Sequence, residues 1–246
     1  MEASFLSVNV PASWQELTDK QLYYVYCLLG KGIPTERVMM YAFMRFAGLY
    51  VIKQHSEEVV IVRKGNKAYP IRKDDLQFAA LRLDFLSQPS DFPVRLNSYK
   101  GKSAVDAELH DFPFGHYLQV ENYFQAYLQT GNEECIAAIA SFLYPNYNGK
   151  PDKTMTYNIL SWVYGIKRHF SAEFSELFRA VPQKSNENEE DYPDMKAITE
   201  AEIRALNGGD ITKTKEILEA DTWGALAELN AKAREAEELN SLRSRH

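Results

Sequence analysis

The residues that could do chemistry gather in one short stretch. Asp106 and Glu108 precede His110-Asp111-Phe112-Pro113-Phe114-Gly115-His116. Carboxylates and imidazoles within a single loop are the donor set of a divalent-metal site. A metal enzyme built on Asp106–His116 is therefore one reading of the chain. The competing reading is a polar surface loop, and the rest of the sequence favours it. The histidines are His55, His110, His116, His169 and His246, and none falls in a His-Glu-x-x-His or paired Cys/His pattern. Gly101-Lys102-Ser103 has the ending of a phosphate-binding loop. That motif needs a glycine where Leu96 stands and a strand leading into it. Cys27 and Cys135 sit in apolar, helix-like contexts and read as buried thiols of a reducing compartment. No catalytic residue, cofactor site or metal ligand is assigned, and the chain is expected not to be an enzyme.

Charge narrows the partners. The 246 residues include 28 Lys and Arg against 34 Asp and Glu, a formal net charge of −6. Nucleic-acid binding needs clustered cations to neutralise phosphates, so it is not expected. Lys64, Lys67, Arg72 and Lys73 beside Tyr69 form a local basic group. Edge hairpins carry such charges to block edge-to-edge pairing. The first residues lack a basic region followed by an apolar run, so no secretory signal is read. No segment approaches the ~20 apolar residues that span a bilayer. The richest, Val38 to Ile52, is interrupted by Arg45 and reads as a core helix. A cytoplasmic protein that makes no membrane contact is expected.

The elements follow from periodicity. Thr18 and Gln21 have capping-box spacing before a helix carrying Leu22, Val25, Tyr26 and Leu29. A second helix starts at Pro34. Glu58–Arg63 is β-branched, Lys64–Lys67 is turn material, and Ala68–Ile71 returns as a strand whose Pro70 places it on an edge. Val51–Lys53 offers a third strand. Helical patterns resume over Asp74–Leu86, His116–Leu128, Glu133–Tyr144, Thr154–Phe170 and Ala172–Val181. Tyr117, Val120, Tyr123, Phe124 and Tyr127 are expected to face inward. The fold class is mainly α: a multi-helix globular domain with a small antiparallel β-hairpin insertion and a helical C-terminal arm.

Gln183–Asp191 has no apolar residue and reads as a solvated linker. The expected organisation is a helical domain over 1–182, an acidic polar linker over 183–194, and an interaction arm over 195–246. Thr199 and Glu202 have capping-box spacing, and Asp210 or Thr212 opens the next helix. Asp221 caps the last one. There Trp223, Leu226, Leu229, Ala233, Ala236 and Leu239 recur at steps of 3, 3, 4, 3 and 3. This narrow stripe can pack on its own domain or on a partner helix. Those six residues are the candidate partner-binding set.

Two stretches carry a resemblance. Phe114-Gly115-His116-Tyr117-Leu118, Glu121 through Tyr127, and Phe142-Leu143-Tyr144-Pro145 resemble helical products of virion-assembly genes in tailed bacteriophages and prophages. Leu206 through Lys213, Ala220-Asp221-Thr222-Trp223 and Leu226-Ala227-Glu228-Leu229 resemble the acidic C-terminal end of phage tail assembly chaperones. The resemblance implies a non-enzymatic protein of the host cytoplasm that keeps a tape-measure protein soluble through helix–helix contacts. A virion connector or tail-completion protein is the second reading it leaves open, with homo-oligomerisation undecided.

Overall fold

The computed structural model describes residues 9–179 and 195–243. The described residues form a mainly α-helical protein with a three-stranded antiparallel sheet and a two-stranded hairpin. They divide into two compact units. One holds the chain up to Asn97 together with Asp152–Trp162; the other holds Ser98–Pro151 and the chain from Val163 on.

In the first unit, Thr18 caps α1 (Asp19–Gly30) with the reciprocal Gln21 bonds that the sequence predicts. α2 (Thr35–Phe46) follows, and Val25, Tyr26, Val38, Ala42 and Phe43 are fully buried. The apolar run beyond Phe46 is not helical. After the left-handed Gly48 it becomes β1 (Leu49–Gln54), the third strand. β2 (Val59–Lys64) pairs with β1 and with β3 (Lys67–Arg72), in the order β1-β2-β3. Gly65 at φ 57° makes the two-residue turn, and Pro70 lies on the edge strand β3. Val60, Val62 and Ile71 are buried on one face. The helix expected over Asp74–Leu86 is α3 (Lys73–Ala80), continued as a tighter 3-10 stretch to Ser87.

Two polar side chains fix the irregular segments of this unit. Trp14 Nε1 donates to the carbonyls of Phe85 and Gln88, both at 3.0 Å. Asn158, fully buried, accepts from the Leu96 amide at 2.9 Å. Gly30 is the close-approach point of α1: a Cβ there would lie 3.1 Å from the backbone of Lys153.

The second unit opens with a short hairpin, β4 (Ser98–Tyr99) and β5 (Lys102–Ser103). Lys100 and Gly101 turn it with positive φ. Gly101-Lys102-Ser103 thus belongs to a tight hairpin with no helix behind it. α4 (Phe114–Thr130) packs against α5 (Glu133–Leu143). α6 (Lys153–Glu173) contributes its residues from Val163 onward, with Ile166 and Phe170 buried. Of the helix expected over Ala172–Val181, residues 180 and 181 lie outside the described residues, and the described part is not one helix. α6 runs to Glu173, and turns follow to Phe178. Tyr123 is also placed differently from expectation, 37% exposed on α4.

The remaining helices are α7 (Met195–Asn207), α8 (Thr214–Glu219) and α9 (Thr222–Arg243). Thr199 lies inside α7 and caps nothing, because that helix begins at least one turn earlier. Asp210 caps the turn before α8 by accepting from the Thr212 amide. Asp221 accepts from the Gly224 amide at 3.1 Å and caps α9, as expected. The separate arm expected over 195–246 is not what the packing shows. α7, α8 and the first half of α9 belong to the second unit: α7 and α8 pack against α4 and each other, and α9 buries Thr222, Ala225, Leu226 and Leu229. The linker expected over 183–194 lies outside the described residues.

Candidate functional site

The six stripe residues of α9 divide into two groups. Trp223 sits in an aromatic cluster. Its ring stacks on His110 at 4.8 Å between centroids and meets Phe170 and Phe174 edge-on, each at 5.4 Å. Its Nε1 donates to the Glu108 carbonyl at 2.7 Å. Such ring pairs add about 0.5–1.5 kcal/mol each beyond the area they bury. One residue earlier, Thr222 is fully buried and donates twice to the Phe112 carbonyl, from its amide at 2.9 Å and its hydroxyl at 2.6 Å. Phe114 N returns a bond to the Ala220 carbonyl at 2.8 Å. Leu226 and Leu229 are buried, and Asn230 accepts from the Leu177 amide. These residues therefore serve their own unit, contrary to their assignment as partner-binding positions.

From Arg234 to Arg243 every residue of α9 is exposed. Ala233 marks the transition, half-buried. Ala236 continues the stripe, and Leu239 and Leu242 are each 56% exposed. Ala236 and Leu239 are neighbours one helical step apart, while Leu242 lies about 120° around the helix from Ala236. Arg179, ion-paired with Glu176 and Glu237, anchors the base of this segment. Glu228 and Lys232 pair at 3.1 Å on the flank.

The Asp106–His116 loop does not assemble a metal site. Asp106 Oδ1 accepts from the amides of Glu108 and His110, which closes the loop on itself. His110 is stacked on Trp223, with Nε2 3.4 Å from Glu108. His116 sits against the rings of Phe112 and Phe142. His110 and His169 both approach Glu108 Oε2, at 3.4 and 3.9 Å, but among the described residues no three His, Cys, Asp or Glu side chains are placed to hold a metal ion. Leu109, fully buried at φ 63°, shows that the loop is held in its shape by its contacts. Its polar groups position α9.

Cys27 lies 3.4 Å from the Thr154 hydroxyl, Cys135 is buried, and both are free thiols. Lys64 and Lys67 face each other across the β2–β3 turn, and Arg72 pairs with Asp74 at 3.4 Å. No described helix is long and apolar enough to cross a membrane.

A second feature has no counterpart in the sequence reading. A cavity of about 330 Å³ lies among α4, α6, α7 and the turn at Leu177 and Phe178. On its polar side Glu121 of α4 accepts from Lys167 of α6 and from Gln125 at 2.9 Å. Glu202 of α7 faces the same space. Burial pushes its carboxyl up to about 7, and the Glu121 carboxylate adds to the shift. The same burial, with Glu121 and Glu202 beside it, raises the Tyr117 phenol well above its ordinary value. The Thr199–Glu202 spacing suggests a cap, and that reading hid the buried carboxylate. The half-buried positions Thr199, Glu202, Ile203 and Leu206 recur at helical spacing, which is the signal that could have revealed it.

No family model, curated protein or solved structure matches the chain.

Proposed function

We propose that this chain is a non-enzymatic assembly protein of a tailed phage or prophage, acting in the host cytoplasm by holding a helical segment of a tail protein. The observation that carries the reading is the outer half of α9. Ala236 and Leu239 extend an apolar stripe whose inner half is already buried, and Leu242 adds an exposed apolar side chain one turn away. A helix that has used one half of its stripe presents the other in a defined orientation. A partner helix can lie along it with little ordering cost. The resemblance of residues 114–145 and 206–229 to tail assembly proteins supplies the partner's class: the long helical tape-measure protein.

Co-expression of the full chain with the tape-measure protein of the same genome tests this. The two are expected to co-purify, and Leu239→Glu with Leu242→Glu is expected to weaken the complex at least tenfold while the fold is kept. Binding that ignores both substitutions contradicts the reading. A closed ring in solution that binds no tape-measure protein favours a connector instead.

A further inference from the structure

The helix α7 is held in an unusual way. None of its apolar side chains is buried; only Asn207, at its last turn, is. Its inner line runs Met195, Thr199, Glu202, Leu206, so a carboxylate occupies the centre of the contact. Immediately after it come Gly208 and Gly209, both in the left-handed region at φ 62° and 85°. Asn207 fastens that joint, accepting from the Gly209 amide at 2.8 Å. Beneath the helix lies the cavity lined by Leu118, Leu177, Phe178 and Ile198 on its apolar side. A weakly buried helix, a double-glycine joint and a cavity below it are the parts of a lid.

We propose that α7 is a hinged lid over the α4–α6 pocket, closed while Glu202 carries its proton and loosened when that proton is lost. The groups that face Glu202 fix the direction. From α4 come Tyr117 and Glu121, and from α6 comes Lys167. Lys167 is engaged by Glu121, so Glu202 meets a neutral phenol, a carboxylate and a cation already paired. α8 and α9 also pack on α7, yet place no charged side chain in this pocket. Glu202 has no hydrogen-bond or ion-pair partner among the described residues. An ionised Glu202 is therefore desolvated and repelled in the closed state and solvated in the open one.

The closed state binds the proton more tightly, so rising pH favours opening. With the carboxyl at about 7 when closed and at its ordinary 4.5 when open, the loss accumulates between those two values and levels off above the higher one. Between about pH 5 and about pH 8 the opening equilibrium rises on the order of fiftyfold.

Hydrogen exchange of the full chain, corrected for intrinsic rates, reads this in the amides of residues 195–207. The expected result is a loss of protection in α7 of that order from about pH 5 to about pH 8, with α4 unchanged over the same range. Glu202→Gln keeps shape and removes the charge, so its α7 stays protected at both values. Glu202→Leu serves as a second neutral variant with the same expected outcome. Equal protection of wild-type α7 at both pH values overturns the proposal. So does a pH response that persists in the neutral variants.

Discussion

The two halves of α9 share one helix, one sequence rhythm and opposite environments. From Thr222 to Asn230 the stripe is built into the second unit through the Trp223 ring cluster, the paired bonds to Phe112 and the Asn230 bond to Leu177. From Arg234 to Arg243 every residue is exposed, and the Arg179–Glu237 pair ties this segment to the end of the second unit's preceding turn. Helical periodicity states which residues share a face. Side-chain volume and polar partners decide what that face does. The inner half carries Trp and two Leu with a loop ready to receive them. The outer half has Ala236 and two leucines flanked by charge, and among the described residues they are left exposed.

Substitutions sharpen this contrast in descending order of effect. Trp223→Ala removes the centre of the cluster and should cost about 3–5 kcal/mol of stability, read as a large fall in denaturant midpoint. Leu226→Ala empties a fully buried site and should cost about 2–5 kcal/mol by the same measurement. Thr222→Val keeps the volume, loses the hydroxyl bond to Phe112, and should cost about 1 kcal/mol. At the outer end, Leu239→Ala should stay within about 0.5 kcal/mol of wild type, because an exposed position has little burial to lose. A large stability loss at Leu239, or none at Trp223, breaks the comparison.

Much of the architecture was legible because it depends on short-range chemistry. The Thr18–Gln21 box, the Gly65 turn, Pro70 on an edge strand and the Asp221 cap are each fixed within four residues of themselves. What failed needed distant partners. Capping-box spacing at Thr199–Glu202 also occurs inside helices, and only the residues before it tell the cases apart. The polar run after Gln183 suggested a detached arm, yet the Trp223 ring finds its place against Glu108, His110 and Phe170, far away in sequence. The Asp106–His116 loop had the composition of a metal site. Its carboxylate instead serves the loop's own amides, and His110 supports Trp223. Helical spacing of Thr199, Glu202, Ile203 and Leu206 marks the inner face of α7, but the pocket it covers needs α4 and α6, which lie far away in the chain.

Hydrogen exchange along α9, with and without a co-expressed tape-measure protein, tests the division most directly. In the free chain the amides of residues 225–230 should exchange only through global opening, while those of 236–243 exchange through local fraying. With the partner bound, protection should appear in 236–243 and the inner half should stay as it was. An outer half already protected in the free chain, or unchanged when the partner is present, would contradict the account.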